Sequence, residues 1–288
     1  MLLGSIEAGG TKFICSVGDE RLKIINQTRI ETTTPEVTLS QVINYFSQFP
    51  ELASVSIASF GPLNLDHHSD QFGAITNTPK LGWQGVNMFK LIRDALAVPV
   101  SITSDVNGSA LGESYLLHQN GIEHQSLVYI TVGTGIGAGI VINDHIFGLN
   151  GHPELGHIKV VRHSGDGDFH GTCPFHDDCL EGLAAGPSFK ARTNTPGERI
   201  PHTDPIWQRI AFYLAQAAVT TTLMIHPDKI VFGGSVINDD LIQMIRREYQ
   251  TLMNGYVEAK SLVDYLSVSC AHDNNSATIG NLILATDN

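Results

Sequence analysis

The 288-residue chain is short of charge, and of positive charge above all. Lys and Arg together number 17 against 29 Asp and Glu, for a net charge of −12 with 16% charged residues. No run of basic side chains makes a local exception, so polyanions are repelled, and neither nucleic acid nor an anionic membrane is expected as a partner. No apolar stretch approaches the roughly 20 residues that cross a bilayer. Met1-Leu2-Leu3 runs directly into strand-like sequence, without the basic start and apolar core of a signal peptide, and a cytoplasmic protein is expected. Cysteine is scarce as well. Of Cys15, Cys173, Cys179 and Cys270, two lie in apolar strand-like segments far from any sequence partner, which excludes a disulfide framework. No Pro/Gly/Ser-rich linker and no low-complexity segment interrupts the chain.

What is present is 42% hydrophobic residues, enough for a sizeable core in one large domain or two ordinary ones. Periodicity and turn signals predict strands at 2–7, 12–17 and 22–32, a helix near 38–48, a strand at 54–60, a helix near 86–97, a strand at 100–104 and a helix near 106–118. The second half restarts in the same way, with a strand over 126–132, a glycine turn, and strands at 138–143 and 145–149. An irregular His-rich insertion follows, then a helix near 205–225, a strand at 229–233, a helix at 236–253, a strand at 266–270 and a last helix at 276–286. This weak topological repeat reads as two α/β domains with a cleft between them.

Three glycine signals punctuate the pattern. Glu7-Ala8-Gly9-Gly10-Thr11-Lys12 and Gly133-Thr134-Gly135-Ile136-Gly137-Ala138-Gly139 each cluster backbone N–H groups with no side chain in the way, as a phosphate cradle requires. Neither is a P-loop. The second also runs into strand-like Gly139-Ile140-Val141-Ile142, so the dinucleotide reading loses its helix. Each loop alone reads more readily as a tight hairpin than as a phosphate site; their equivalent places in a repeated topology shift that balance toward phosphate. Phe232-Gly233-Gly234, where a strand meets a helix, would let adenosine or its phosphates approach the backbone, or would simply be a packed turn. Asp105 stands where an apolar strand ends and a helix begins, and reads as an N-cap or as a base accepting a hydroxyl proton. Lys12 is a phosphate ligand or a snorkelling surface residue. Asn77 and Asn107 are lesser polar candidates. In the insertion, His157 with Cys173-x2-His176-x2-Cys179 supplies four ligands for a closed tetrahedral zinc site, with His152 and His170 as alternates.

Taken in order, Glu7 to Lys12, Ser104-Asp105-Val106-Asn107, Gly133 to Gly137, Gly151-His152-Pro153-Glu154-Leu155-Gly156-His157, Cys179-Leu180-Glu181 and Phe232-Gly233-Gly234 resemble the ROK family of sugar kinases and repressors, and its bacterial fructokinase branch. The resemblance covers essentially the whole chain. It implies a two-domain actin-like fold of the hexokinase and ribonuclease H kind, with domains over 1–118 and 119–274, a zinc-binding insertion near 150–182, and a last helix, about 275–288, returning to the first domain. It implies Asp105 as catalytic base, with Ser104, Asp105, Glu154, His157 and Glu181 around the sugar. Gly9, Gly10, Thr11, Lys12, Gly133, Thr134, Gly135, Gly233 and Gly234 would hold nucleotide, and His157, Cys173, His176 and Cys179 structural Zn2+. ATP and Mg2+ are the implied cofactors and a homodimer the implied assembly. Most members have Asp at the place of Glu7 and Asn at that of Ser104; these departures point to fructose, with mannose or glucose as the alternative acceptors. A sugar-sensing, non-catalytic protein is the reading from another class.

Overall fold

The computed structural model describes residues 1–148, 151–257, 261–271 and 275–287. Leu149, in the strand expected at 145–149, Asn150, at the start of the expected insertion, and Asn288 lie outside them. The chain divides into two compact units, one made of 1–122, 139–152 and 271–288, the other of 123–138 and 153–270.

In the first unit, β1 (Leu2–Ala8), β2 (Lys12–Asp19) and β3 (Ile24–Glu31) form an antiparallel meander, and β4 (Leu52–Ser59) and β5 (Val100–Ser104) add parallel strands, for the order β3-β2-β1-β4-β5. The central strands are buried nearly end to end, as strands covered on both faces must be. Helix α1 (Pro35–Phe46) begins earlier than its apolar periodicity suggests, because Thr34 accepts from the Val37 N–H and Pro35 takes the first helical position. α2 (Met88–Leu96) follows an Asn87 cap and ends on Ala97 in the left-handed region. Phe13, Phe46, Trp83 and Met88 fill the core on this side, and the Trp83 indole N–H donates to the Thr33 carbonyl at 2.9 Å, which satisfies the one polar group of a fully buried ring.

The other face of this sheet carries α3 (Asp105–Gln119). Beyond it come β6 (Ser126–Val132), β7 (Ile136–Ile142), β8 (His145–Ile146), α4 (Leu180–Ala184), α5 (Gly186–Thr193), α6 (Pro205–Ile225), β9 (Lys229–Gly233), α7 (Asp239–Met253), α8 (Leu262–Tyr265), β10 (Leu266–Val268) and α9 (Ser276–Thr286). The second sheet has the order β10-β9-β6-β7-β8. α7 starts later than the expected 236 because the Asn238 side chain caps it, accepting from Asp240 and Leu241.

α9 packs on β1 and α3, with Leu282 and Ala285 against Leu3. Asn281, fully buried, donates to Ser5 Oγ and the Ile6 carbonyl and accepts from Ser56 Oγ. Glu113 on α3, also fully buried, accepts from Ser276 Oγ at 3.0 Å and the Ala271 N–H at 3.2 Å. The two helices cross backbone to backbone. A Cβ on Gly112 would lie 1.9 Å from the Ser276 carbonyl oxygen, and one on Gly280 1.9 Å from that of Gly108. Overpacking of this kind costs about 1–3 kcal/mol or more. Gly112→Ala is therefore expected to lower the urea midpoint of unfolding by an amount equivalent to at least about 2 kcal/mol, whereas Gly151→Ala, with nothing within 4 Å of the added Cβ, should cost less.

Candidate active site

The first group of site residues surrounds the start of α3. Ser104, fully buried, is the N-cap, its hydroxyl accepting from the Asn107 N–H at 3.3 Å. Asp105 is thereby the first helical residue, with its Oδ1 accepting from the Val106 N–H at 2.9 Å. The cap expected of Asp105 is thus supplied by its neighbour, and the Ser104 hydroxyl, counted as a sugar contact from sequence, is engaged in the helix start. Asn107 is buried too. Its amide donates to Thr103 Oγ1 at 3.1 Å while its Oδ1 has no partner among the described residues. Glu7, at the end of β1, is close enough to Asp105 and Lys12 to feel both. Burial, and then the Asp105 charge, push its carboxyl up to about 7, with Lys12 working in the opposite direction.

The turn after Glu7 leaves backbone N–H groups uncommitted. The Gly9 N–H closes it on the Lys12 carbonyl at 3.0 Å, and Thr32 Oγ1 donates to the Gly9 carbonyl at 2.7 Å. The N–H groups of Gly10 and Thr11 have no acceptor among the described residues. Gly10, Thr11 and Lys12 are exposed.

The second unit holds the other glycine loop. The Gly133 N–H donates to the Gly135 carbonyl at 2.9 Å, and the Ile136 N–H to Glu181 Oε2 at 2.9 Å. A Cβ on Gly135 would stand 2.6 Å from that same oxygen, so the glycine is what lets the carboxylate close on the turn. Gly133 and Thr134 line a 660 Å³ cavity with Gly186, Lys190, Trp207 and Ser235. Gly233 and Gly234 do not line it. A Cβ on Gly233 would lie 2.2 Å from Tyr129 Oη, and one on Gly234, at φ +92°, 2.4 Å from the Val132 carbonyl oxygen. α5, which contributes Gly186, Phe189 and Lys190 to the cavity, is missing from the sequence reading, although Gly186-Pro187 is a helix-start signal. The Gly186 N–H donates directly to the Gly133 carbonyl at 2.8 Å.

The insertion brings His157, Cys173, His176 and Cys179 together, one ligand atom from each lying within 4.8 Å of all the others. The two imidazole Nδ1 atoms are 3.3 Å apart, and Cys173 and Cys179 Sγ lie 3.7 and 3.6 Å from His157 Nδ1. Tetrahedral zinc with its usual bond lengths would set these separations near ~3.3 Å for N–N and ~3.6 Å for S–N, so the donor set fits the ion in kind and in size. Burial pushes the Cys179 thiol up to about 11, so without a cation beside it the group stays a neutral thiol. His152 and His170 are not in the cluster. Glu154 is exposed, three residues ahead of His157, whose N–H donates to the Glu154 carbonyl at 3.0 Å. The insertion is fastened to the body of its unit by Asp166, which accepts from Arg192 of α5 at 2.8 and 2.7 Å and from the Tyr213 hydroxyl of α6 at 2.5 Å. Sequence reading gives no hint of that buried ion pair.

Residues 3–288 match the ROK family. The chain is 45% identical over 288 residues to a fructokinase of Streptococcus mutans, covering 99% of this chain and 97% of that one. It is 43% identical over 284 residues to a fructokinase of Lactococcus lactis, covering 98% and 96%. A xylose repressor of Bacillus subtilis is 24% identical, with 65% of its length covered. Among solved structures, a ROK family glucokinase of Streptomyces griseus in complex with glucose and AMPPNP superposes with a TM-score of 0.78 at 21% identity, all of both chains being covered. A ROK hexokinase of Thermus thermophilus gives 0.77 at 21% identity, with 99% and 98% covered. The fold is the α/β fold of these hexokinases.

The raised carboxyl of Glu7 has a measurable signature. In the unfolded chain it titrates near 4.5 and in the folded chain at about 7, so between those values the folded state binds more protons. Stability from this group is greatest below pH 4.5 and is lost as pH rises through 7. Glu7→Gln should therefore gain stability over the parent at pH 8 and not at pH 4.5 in paired urea titrations; equal differences at both pH values would contradict the assignment.

Proposed function

The chain belongs to the ROK family, and on that premise we propose that it is a fructokinase, transferring the γ-phosphoryl group of ATP to the 6-hydroxyl of D-fructose. One observation carries the choice of sugar: the relatives it matches along nearly their whole length at 43–45% identity are fructokinases. The residue geometry is consistent with the chemistry. In the transfer, the bond from the sugar O6 to phosphorus forms as the bond from phosphorus to the β–γ bridging oxygen breaks. The hydroxyl proton passes to Asp105, and ADP leaves. Asp105 suits the task because its position is fixed by the capped first turn of a helix rather than by a loop.

The N–H groups of Gly10 and Thr11 and the Gly133–Gly135 turn are assigned to the ATP phosphates, and the cavity beside Thr134 and Ser235 to the adenosine end. Mg2+ bound with ATP neutralises phosphate charge during transfer. Glu154, His157 and Glu181 are assigned to sugar hydroxyls. Glu181 is oriented for this by the Ile136 N–H, and Ser104 acts through the helix cap. His157, His176, Cys173 and Cys179 would hold zinc, and a zinc on the Nδ1 side of His157 would leave its Nε2–H to donate to the sugar.

Three measurements test this reading. A panel of fructose, mannose and glucose under saturating Mg-ATP should give fructose the highest kcat/KM; a preference for either aldose would move the assignment to a mannokinase or glucokinase. Asp105→Asn should bind sugar and nucleotide nearly as the parent does, yet lose turnover by about 10²–10⁴-fold in a coupled ADP-release assay. Metal analysis of purified protein should find about one zinc per chain, and Cys179→Ser should lower both the zinc content and the thermal midpoint; activity retained with no zinc would remove the metal from the account.

A further inference from the structure

We propose that Lys80 is a further phosphoryl-binding residue of this kinase, giving its charge and one N–H to the γ-phosphoryl oxygens of the nucleotide at the Gly9–Lys12 turn. The proposal rests on the kinase reading above and assigns a residue that the glycine motifs leave out.

Lys80 lies in Asn77-Thr78-Pro79-Lys80-Leu81-Gly82-Trp83, some 70 positions from the turn in sequence. The segment is stapled beside the turn. The fully buried Trp83 anchors it through an indole bond to the Thr33 carbonyl at 2.9 Å, the Trp83 N–H donates to the Lys80 carbonyl at 3.2 Å, and the Lys80 N–H donates to Thr78 Oγ1 at 3.2 Å. From there the Lys80 ammonium reaches the carbonyl of Gly10 at 2.6 Å and that of Thr32 at 3.4 Å.

Two features of this contact point to an anion. First, the ammonium has three donors. Two go to carbonyls, and no carboxylate among the described residues pairs with it, so a half-buried cation is held in place by neutral groups with a donor to spare. Second, the Thr32 N–H bonds to the Thr11 carbonyl, but the reciprocal bond of an antiparallel pair, Thr11 N–H to the Thr32 carbonyl, is not made. The Thr32 carbonyl faces Lys80 instead. Lys80 is thus fastened to the turn whose Gly10 and Thr11 N–H groups lack an acceptor. A fixed cation and two uncommitted N–H groups on one turn are the chemistry that recognises a phosphoryl group, and the γ-phosphoryl is the part of ATP whose charge shifts during transfer.

The competing role is structural: Lys80 would merely tie the segment to the turn through the carbonyls. Lys80→Gln separates the two, because a glutamine amide can still donate to a carbonyl but carries no charge. Lys80→Arg keeps the charge. Titration calorimetry of Mg-AMPPNP and Mg-ADP, without sugar, reads the γ-phosphoryl contact alone, and kcat and KM with fructose read its use in transfer. For Lys80→Gln the expected result is AMPPNP binding weakened by about tenfold or more with ADP binding within about twofold of the parent, and kcat lowered by about tenfold or more at a nearly unchanged KM for fructose. Lys80→Arg should recover part of the lost kcat. Parental AMPPNP binding and kcat in Lys80→Gln, or equal weakening of AMPPNP and ADP with a lowered thermal midpoint, would overturn the proposal in favour of the structural tie. If the parent itself fails to phosphorylate fructose, the choice of sugar fails, whereas the difference between AMPPNP and ADP still decides the role of Lys80.

Discussion

The position of α3 depends on contacts that only glycine permits, and the candidate base depends on α3. A Cβ on Gly108 would press on Ala58 of β4 at 2.8 Å, while Gly112 and Gly280 let α3 and α9 touch through their backbones. On a third side, a Cβ on Gly139 of β7 would lie 2.3 Å from the Val106 carbonyl oxygen, one residue beyond Asp105. A helix held by backbone contact has no side-chain rotamers through which to relax. Its first turn is therefore a fixed platform, and the Ser104 cap completes it. A carboxylate at such a helix N-terminus is favoured by the helix dipole, which partly offsets the repulsion it shares with Glu7.

In the second unit the corresponding economy is in α4, only five residues long. Cys179 stands at its N-cap and Glu181 in its first turn, so a proposed metal ligand and a proposed sugar ligand are two residues apart on one short, buried element. Leu180, between them, is fully buried. The Leu180 N–H donates to the Ile158 carbonyl, next to His157. Displacing the Cys/His cluster would therefore shift Glu181 and, through its bond to Ile136, the glycine loop. A metal ion held by the cluster would by this connection bear on the proposed site without touching a reacting atom.

How much of this was legible in the sequence follows from what each residue type can reveal. Strands and long helices showed in their periodicity, and the His157, Cys173, His176 and Cys179 cluster in an unusual spacing of soft donors. Asp105 showed as a carboxylate at a strand-to-helix junction, but its cap was ambiguous because Ser104 and Asp105 are both good cap residues; only the hydrogen bond to Asn107 separates them. α4 and α5 escaped because a run of five or eight residues carries too little periodicity, and the His-rich composition around them reads as loop. Asp166, Arg192 and Lys80 escaped for a different reason. Each acts through a partner far along the chain, and a lone charged residue in a loop is indistinguishable from a solvated one until the fold closes.

The low charge of the chain acquires a purpose at the site. ATP is strongly anionic, and a field of lysines would hold it readily. The same field would lower the proton affinity of any nearby carboxylate, and a general base needs that affinity. Backbone N–H groups meet phosphate charge without this penalty, because they carry only partial charge. The cations that are present are placed with restraint: Lys80 leans on two carbonyls, and Lys12 acts on the carboxyl of Glu7. Glu7 works in the opposite sense to both. Burial favours its protonated form, which spares Asp105 a second full negative charge alongside it, while a cation arriving with the nucleotide would draw Glu7 toward its ionised form. If Asp105 is the base, as proposed, a protein of net −12 can take up a polyanion without surrounding that base with positive charge.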